Sequence, residues 1–388
     1  MDREHLGFVI VGHVDHGKST LIGRLLFDTQ SLPREKMEEV ARLSKELGRE
    51  TELAFVMDHL QEERDQGITI DTAQTFFHTA KRDYVIIDAP GHKEFIKNMI
   101  TGAAQAQAAL LIVDADEGVR EQTRRHAYLL GMLGLEQITV VINKMDKVGW
   151  SRDRFDEVSS DILLFLDVIG LTPMHIVPIS AKDGDNVARR SVKMPWYAGP
   201  TVLEVLDAFA VPPKAVAGPM RFPVQDVYKV DDKRMLVGRV ESGVLHAGDA
   251  VVFLPSNSES RVKTVEKFLS DPLERAEAGE SIGITLEDPL FVERGQVACP
   301  TDAPATVTDT IRANVFWMSR TRLTPGEKLR IKQATQEVSA EVTEIARRID
   351  SSSLEVIAEN SDELQNNEIA ELTIRTKTPI AMESFYDV

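Results

Sequence analysis

One cysteine in 388 residues, Cys299, leaves no partner for an intrachain disulfide and fits a reducing compartment. Its neighbours Ala298 and Pro300 mark it as a small interior strand residue rather than a nucleophile. A basic excess is missing too. The formal charge is −17, which argues against a broad nucleic-acid surface, because phosphate binding relies on clustered Lys and Arg. The pairs Arg124–Arg125, Arg189–Arg190 and Arg347–Arg348 stand among acidic neighbours and look like solvated faces. Long apolar runs are absent: Ala108–Val113 is far too short to span a bilayer, and "MDREHLGFVI" has no apolar signal core. No membrane is expected, and the expected location is cytoplasmic. There is no internal repeat or low-complexity tract. What remains is ordinary globular composition, 43% hydrophobic and 28% charged. The length suggests two to three domains at about 150 residues each.

The first two hundred residues alternate strand-like and helix-like segments. Phe8–Val11 reads as a buried strand, with a helix starting at Lys18. "PREKMEEVARLSKELG" places Met37, Val40, Ala41, Ser44 and Leu47 on one helical face. "TAQTFFHT" and "DYVIID" resemble two strands joined at Lys81–Asp83, and Ala109–Val113, Ile138–Ile142 and His175–Pro178 are further strands. "EQTRRHAYLLGML" and "DRFDEVSSDILLFL" have helical spacing, and "GPTVLEVLDAFA" adds a helix with Pro200 in its first turn. This grammar predicts an α/β domain with a mostly parallel sheet and helices on both faces. After the Pro-rich linker Val211–Pro219 the pattern becomes short β runs between Gly, Ser and Asp turns, the pattern of small barrels. The expected domains are 1–211, a β-barrel over 217–303 and a second β-barrel over 304–388. In "EIAELTIRT", Ile369 joins the alternation of Leu372 and Ile374 only after a one-residue offset, which a β-bulge would supply.

Gly12-His13-Val14-Asp15-His16-Gly17-Lys18-Ser19 fits the phosphate-loop pattern between a strand and a helix. Its glycines let backbone N–H groups turn toward phosphates. Lys18 supplies a point charge, and the Ser19 hydroxyl suits Mg²⁺. The base is read from "NKMD". The Asp146 carboxylate only accepts hydrogen bonds, and guanine offers two adjacent donors where adenine offers an acceptor. Charge-assisted bonds contribute about 1.5–3 kcal/mol each, enough for strong discrimination. Asn143 would tie the base region to the phosphate loop, and the Lys144 stem would cover the base. In "ISAKDG", Ala181 N–H would meet guanine O6, with Ser180 and Lys182 shaping the loop. In "DAPGHKEF", Asp88 suits a water-mediated Mg²⁺ contact, Gly91 N–H the γ-phosphate, and His92 the attacking water, as a neutral partner or a protonated one. Thr69 in "ERDQGITID" would bring a hydroxyl to Mg²⁺ while GTP is intact. GTP/GDP and Mg²⁺ are the expected cofactors. His59, His78, His126, His175 and His246 have no comparable constellation and read as structural.

The order GHVDHGKS, QGITI, DAPGH, NKMD, ISA and then two β regions resembles the elongation factor Tu/1A class of GTPases across the whole chain. That resemblance implies phosphate binding by Asp15, His16, Gly17, Lys18, Ser19 and Thr20. It places switch segments at Thr69 and Asp88–His92 and an apolar gate at Val14 and Ile68. Within the class, "GDNVARRSVKMPWYAGPTVLEVLD", "LIGRLLFDTQSL" and "EQTRRHAYLLGMLG" are similar to the GTPase subunit of bacterial sulfate adenylyltransferase. So is "VFWMSRTRLTPGEKLRIKQATQEVSAEV", where elongation factors have a histidine-containing segment. The GHVDHGKS loop, "DAPGHKEFIKNMITGA" and "MESFYDV" instead lean toward elongation factors. With the former segments taken as partner-facing, the expected function is GTP hydrolysis coupled to sulfate adenylylation. The expected partner is then the small catalytic sulfate adenylyltransferase subunit, with an adenylylsulfate kinase domain or partner after the C-terminus. The alternative is delivery of aminoacyl-tRNA to the ribosome, the only setting in which a nucleic-acid partner, tRNA, is expected. "TIRTKTPIAMESFYDV" stops where relatives continue, as in a truncated chain or one completed by strands from elsewhere.

Overall fold

The computed structural model describes residues 4–32, 74–88, 100, 103, 106–210, 218–230, 233–269 and 271–385. The helix expected over Pro33–Gly48 lies outside them. The chain divides into two compact units, residues 1–211 with Ser351–Leu354, and residues 212–350 with 355–388.

The first unit is built on strands that are apolar on both faces. β1 (His5–Gly12), β4 (Ala108–Asp114) and β5 (Ile138–Asn143) are buried nearly throughout, as the centre of a sheet covered on both sides requires. With β2 (Gln74–His78), β3 (Asp83–Asp88) and β6 (His175–Pro178) they form one sheet in the order β2-β3-β1-β4-β5-β6. All neighbours are parallel except the β2–β3 pair at the edge. The parallel strands therefore end together, which gathers Gly12, Asp88, Asp114 and Asn143 at one rim, where ligands of such sheets bind.

Helix α1 (Lys18–Asp28) buries Leu21, Ile22, Leu25 and Leu26 against this sheet, and α2 (Glu121–Met132) buries Leu129 and Leu130. In α3 (Arg152–Val168), Val158, Ile162 and Leu166 form the inward stripe, and Ser151 caps the N-terminus by accepting from Arg154 N–H. α4 (Val202–Ala208) starts from a capping box, Thr201 with Glu204. Pro200 thus stands before the cap rather than in the first turn, because the Thr201 side chain and Glu204 satisfy each other's backbone N–H groups.

The second unit is all β. β7 (Phe222–Val230), β8 (Lys233–Arg239), β10 (Ala250–Leu254), β11 (Ser258–Glu266), β13 (Ser281–Leu286) and β14 (Val297–Pro300) close a barrel around Phe222, Val251, Phe253 and Ile284. β9 (Val244–His246) and β12 (Arg275–Glu277) pair beside it. The remaining strands form a five-stranded sheet: β15 (Thr306–Phe316), β16 (Lys328–Gln333), β17 (Gln336–Asp350), β18 (Val356–Glu359) and β19 (Glu368–Met382). Cys299 is fully buried with Val252, Leu254 and Ala381, and burial raises its thiol pKa. β19 runs without a shift from Ile369 to Ile374. The offset read from its sequence lies in its neighbour β17, whose register slips between Val342 and Glu344 and between Ile345 and Arg347. The arginine pair of β17 is not merely solvated: Arg347 meets Glu359 and Glu371, and Arg348 meets Glu368 at 2.7 Å.

Candidate functional site

The phosphate loop leaves β1 at Gly12 and enters α1 at Gly17. Both glycines are required by close approach. A Cβ on Gly12 would sit 2.5 Å from the Ile112 carbonyl, and one on Gly17 would sit 2.3 Å from Asn143 Nδ2. Gly17 also has φ 93, and no side chain caps the helix it opens, so the first N–H groups of α1 point at the loop. Lys18 Nζ donates to the Gly12 and His13 carbonyls at 3.0 and 2.9 Å, using two of its three hydrogens. Burial lowers the Lys18 pKa, while Asp88 and Asp15 oppose that shift. Asp15 is exposed at the loop tip with φ 62, and Val14 N–H reaches Gln122 Oε1 at 3.4 Å.

His16 faces the protein interior and is fully buried. Its Nδ1 lies 3.2 Å from Asp114 N–H and 3.4 Å from the Ile112 carbonyl, and its Nε2 lies 3.7 Å from Glu117 Oε2. Burial is the main cause that brings the His16 pKa down to about 4. The ring is therefore neutral near pH 7. Its carbonyl, rather than its imidazole, faces the base-binding side.

Asn143, at the end of β5, joins the two halves of the site. Its Nδ2 donates to the His16 carbonyl and its Oδ1 accepts from Ala181 N–H, both at 2.9 Å. Ala181 N–H, expected at guanine O6, is thus engaged by Asn143, because the buried amide oxygen needs a donor. Lys144 adopts φ 62 and donates to the Asp15 carbonyl, which lays its stem across the loop. Ser180, fully buried, donates to Asp146 Oδ1 at 2.8 Å and fixes that carboxylate in rotation. Lys182 is exposed next to them.

Ser19 and Thr20 occupy the first turn of α1, and Asp88 ends β3 in register with Ile10. Burial raises the Asp88 pKa, and the charge of Lys18 opposes it. A Ser19 hydroxyl and an Asp88 carboxylate are oxygen donors, the set that suits Mg²⁺. Among the described residues no group of three or more His, Cys, Asp or Glu could hold a metal ion. Ile68, Thr69, Gly91 and His92 lie outside the described residues.

Two side chains in this site gave no sequence signal. His126 of α2 lies under the loop, almost fully buried, with burial lowering its pKa to about 3. Asp114 ends β4 fully buried and pairs with Lys144 Nζ at 2.7 Å. Only a register opposite Asn143 makes that pairing possible, and spacing along the chain does not show it.

Residues 3–212 match the family described as elongation factor Tu GTP binding domain, residues 234–299 elongation factor Tu domain 2, and residues 310–388 GTP-eEF1A C-terminal domain-like. Elongation factor 1-alpha of Thermoplasma acidophilum is 40% identical over 100% of this chain and 93% of its own length. The chain belongs to the elongation factor Tu/1-alpha family. The elongation factors 1-alpha of Pyrococcus furiosus and Methanopyrus kandleri agree, at 40% and 41% identity over 100% and 98% of the chain. A solved structure of sup35 complexed with GDP covers 99% of the chain at 26% identity, with a TM-score of 0.43.

Identity of 40–41% to elongation factors 1-alpha over 98–100% of the chain overturns the sulfate adenylyltransferase reading, with its small catalytic subunit and its adenylylsulfate kinase partner. The segment that suggested that reading, "GDNVARRSVKMPWY", is in part taken up by the protein's own loops, while Arg189, Arg190, Val192 and Lys193 are exposed. Asn186 is buried, donating to the Pro178 carbonyl at 2.9 Å and accepting from Ser191 N–H at 2.8 Å. Met194 is buried, and Trp196 Nε1 donates to the Trp150 carbonyl at 3.0 Å. Lys193 sits 4.5 Å over the Trp150 ring and 3.0 Å from Asp183. These residues brace the loops that carry Asp146 and Ala181. A net charge of −17 is a sum over the whole chain and does not exclude a local nucleic-acid surface. Among the described residues no helix is long and apolar enough to cross a membrane.

Proposed function

We propose that this chain is a GTP-driven carrier that binds aminoacyl-tRNA and delivers it to the ribosome. The observation that carries this reading is identity of about two-fifths to elongation factors 1-alpha in an alignment that spans the entire chain, both β regions included. The site geometry supports the guanine half of it. Asn143 holds the phosphate loop and the Ala181 loop at a fixed separation, and Ser180 presents the Asp146 carboxylate to the two donors of guanine. Lys18, with one hydrogen left beyond its loop carbonyls, neutralises the β and γ oxygens, and the N-terminus of α1 supplies N–H donors. Ser19, Asp88 and Thr69 would hold Mg²⁺, which would neutralise charge on the transferred phosphoryl group. Asp15, His16, Gly17 and Thr20 complete the phosphate contacts, and Lys144 and Lys182 flank the base. Gly91 N–H meets the γ-phosphate. His92 would orient the attacking water, with Val14 and Ile68 as the apolar gate that would keep hydrolysis slow until it opens. The domains for this work are residues 1–211, 217–303 and 304–388.

The test is protection of the ester of an aminoacyl-tRNA from spontaneous hydrolysis by the purified chain. Protection with a non-hydrolysable GTP analogue and its loss with GDP are expected. His92→Ala should keep protection while hydrolysis stimulated by ribosomes falls at least about a hundredfold. Equal protection with both nucleotides, or none, sinks the carrier role.

A further inference from the structure

The side chain of Asp114 has no part in the guanine-nucleotide chemistry above, yet it is fully buried at the rim of the sheet. Burying a carboxylate is costly unless it is paired and hydrogen-bonded. Here it is both. Oδ2 meets Lys144 Nζ at 2.7 Å, and Oδ1 accepts from Asp116 N–H at 2.8 Å and Glu117 N–H at 3.4 Å. The Asp114 backbone N–H lies 3.2 Å from His16 Nδ1, and the Asp114 Cα is registered opposite Asn143, the neighbour of Lys144. Burial raises the Asp114 pKa, but Lys144 and the two N–H groups outweigh it, so the carboxyl is held below the usual range and stays charged.

Lys144 is the side chain that this arrangement controls. Its ammonium lies between the buried Asp114 carboxylate and the exposed Asp15 carbonyl. A lysine stem otherwise has many rotamers, and fixing them on binding costs entropy. With both ends anchored, the stem is a ready apolar surface along the base site before any nucleotide arrives.

We propose that Asp114 is a positioning residue for guanine recognition: by anchoring Lys144 Nζ beside the Asp15 carbonyl, it fixes the lysine stem as the surface against which the base lies. The inference rests on the guanine-site reading given above. Because the base is common to GDP and GTP, loss of the anchor weakens both alike. A defect confined to the γ-phosphate contacts would instead discriminate between them.

Asp114→Asn keeps the shape and an acceptor for the two N–H groups but removes the charge facing Lys144. Binding of fluorescent GDP and of a fluorescent non-hydrolysable GTP analogue to the full chain is followed by stopped flow. The expected result is about tenfold weaker binding of both, expressed in the dissociation rate. Lys144→Met should give a loss of at least that size, and the double variant should be no weaker than Lys144→Met alone. A merely structural role would make the two losses multiply. The inference is overturned by multiplying losses, by Asp114→Asn binding within twofold of the unmodified chain, or by a loss confined to the GTP analogue. Should Asp114→Asn fail to fold by far-UV circular dichroism, Lys144→Met decides alone, through a faster or an unchanged GDP dissociation rate. An unmodified chain that binds no guanine nucleotide would overturn the site reading itself and this inference with it, an outcome separate from tight binding that ignores Asp114.

Discussion

Replacing Gly17 with alanine should disable nucleotide binding through Asn143 rather than through the phosphates. The added Cβ would sit 2.3 Å from Asn143 Nδ2, more than an ångström inside contact. Gly17 has φ 93, and a left-handed backbone costs an L-residue about 1–2 kcal/mol. Asn143 is almost fully buried and cannot swing into solvent. Moving its amide breaks the bond to the His16 carbonyl and, because the amide is planar, the bond from Ala181 N–H. Each is worth about 0.5–1.5 kcal/mol net, and each orphaned buried partner costs about 1–3 kcal/mol. The two lost bonds and two orphaned partners sum to about 3–9 kcal/mol, and even the low end is more than about a hundredfold in affinity for GDP and GTP alike. Gly170→Ala is the control. It has φ 71 but nothing within 4 Å of the added Cβ, so it should cost stability of about 1 kcal/mol and leave affinity unchanged. Calorimetric titration of GDP into each variant, with a thermal melt of the nucleotide-free protein, reads both quantities. Gly17→Ala binding within threefold of the unmodified chain, or Gly170→Ala losing as much, would refute the reasoning.

Asp146→Asn exchanges an acceptor for a donor opposite the exocyclic amine of guanine, so GDP affinity should fall at least about a hundredfold and xanthosine diphosphate affinity should rise, in a competition titration. His16 and His126 have folded pKa values of about 4 and about 3 against 6.5 unfolded, so the unfolded chain binds more protons as pH falls. Their contribution is intact above pH 6.5 and is lost as pH falls from there toward 4 and then 3, about 3 kcal/mol or more for each ring. Urea unfolding of His126→Gln should therefore show a shallower decline between pH 6.5 and 4 than the unmodified chain, and an equal slope would refute this. Asn186→Ala removes the bonds to Pro178 and Ser191 behind the Ala181 loop, and should speed GDP dissociation about tenfold with little change in GTP-versus-GDP preference. Lys193→Ala, at a partly exposed ion pair, should change it by less than about threefold.

The parts of the site that could be read from sequence are those whose chemistry is local. Gly17, Lys18 and Ser19 act through backbone shape within a few residues, and a strand–loop–helix order is enough to place them. Asp146 and Ser180 lie far apart in sequence, but each sits at the end of a buried apolar strand, and parallel strands bring such ends to one rim. What stayed hidden depends on register and packing. Asp114 is one acidic residue among several in "VDADEG" until β4 is aligned with β5. His126 is one residue of an amphipathic helix until α2 is placed under the loop. The bulges of β17 are likewise properties of a pair, so the alternation of β19 showed an offset without showing which strand carried it.

The misreading of branch has the same origin. A segment such as "GDNVARRSVKMPWY" carries many polar and aromatic residues, and along a single chain those read as a surface that a partner would recognise. In the folded domain Asn186 serves two backbone groups, Trp196 a third, and Asp185 both Trp150 and Ser191. Such residues are fixed by what a long loop needs to stay closed over a base-binding site, because each buried backbone group must find a partner. Their identity reports how the loop is held, and any GTPase holding its base loop in this manner would need similar side chains whatever its hydrolysis drives. Information about the driven process has to come from the β regions. The alignment to elongation factors 1-alpha, 40% identical overall, spans those regions, even though the histidine-containing segment expected of them is absent.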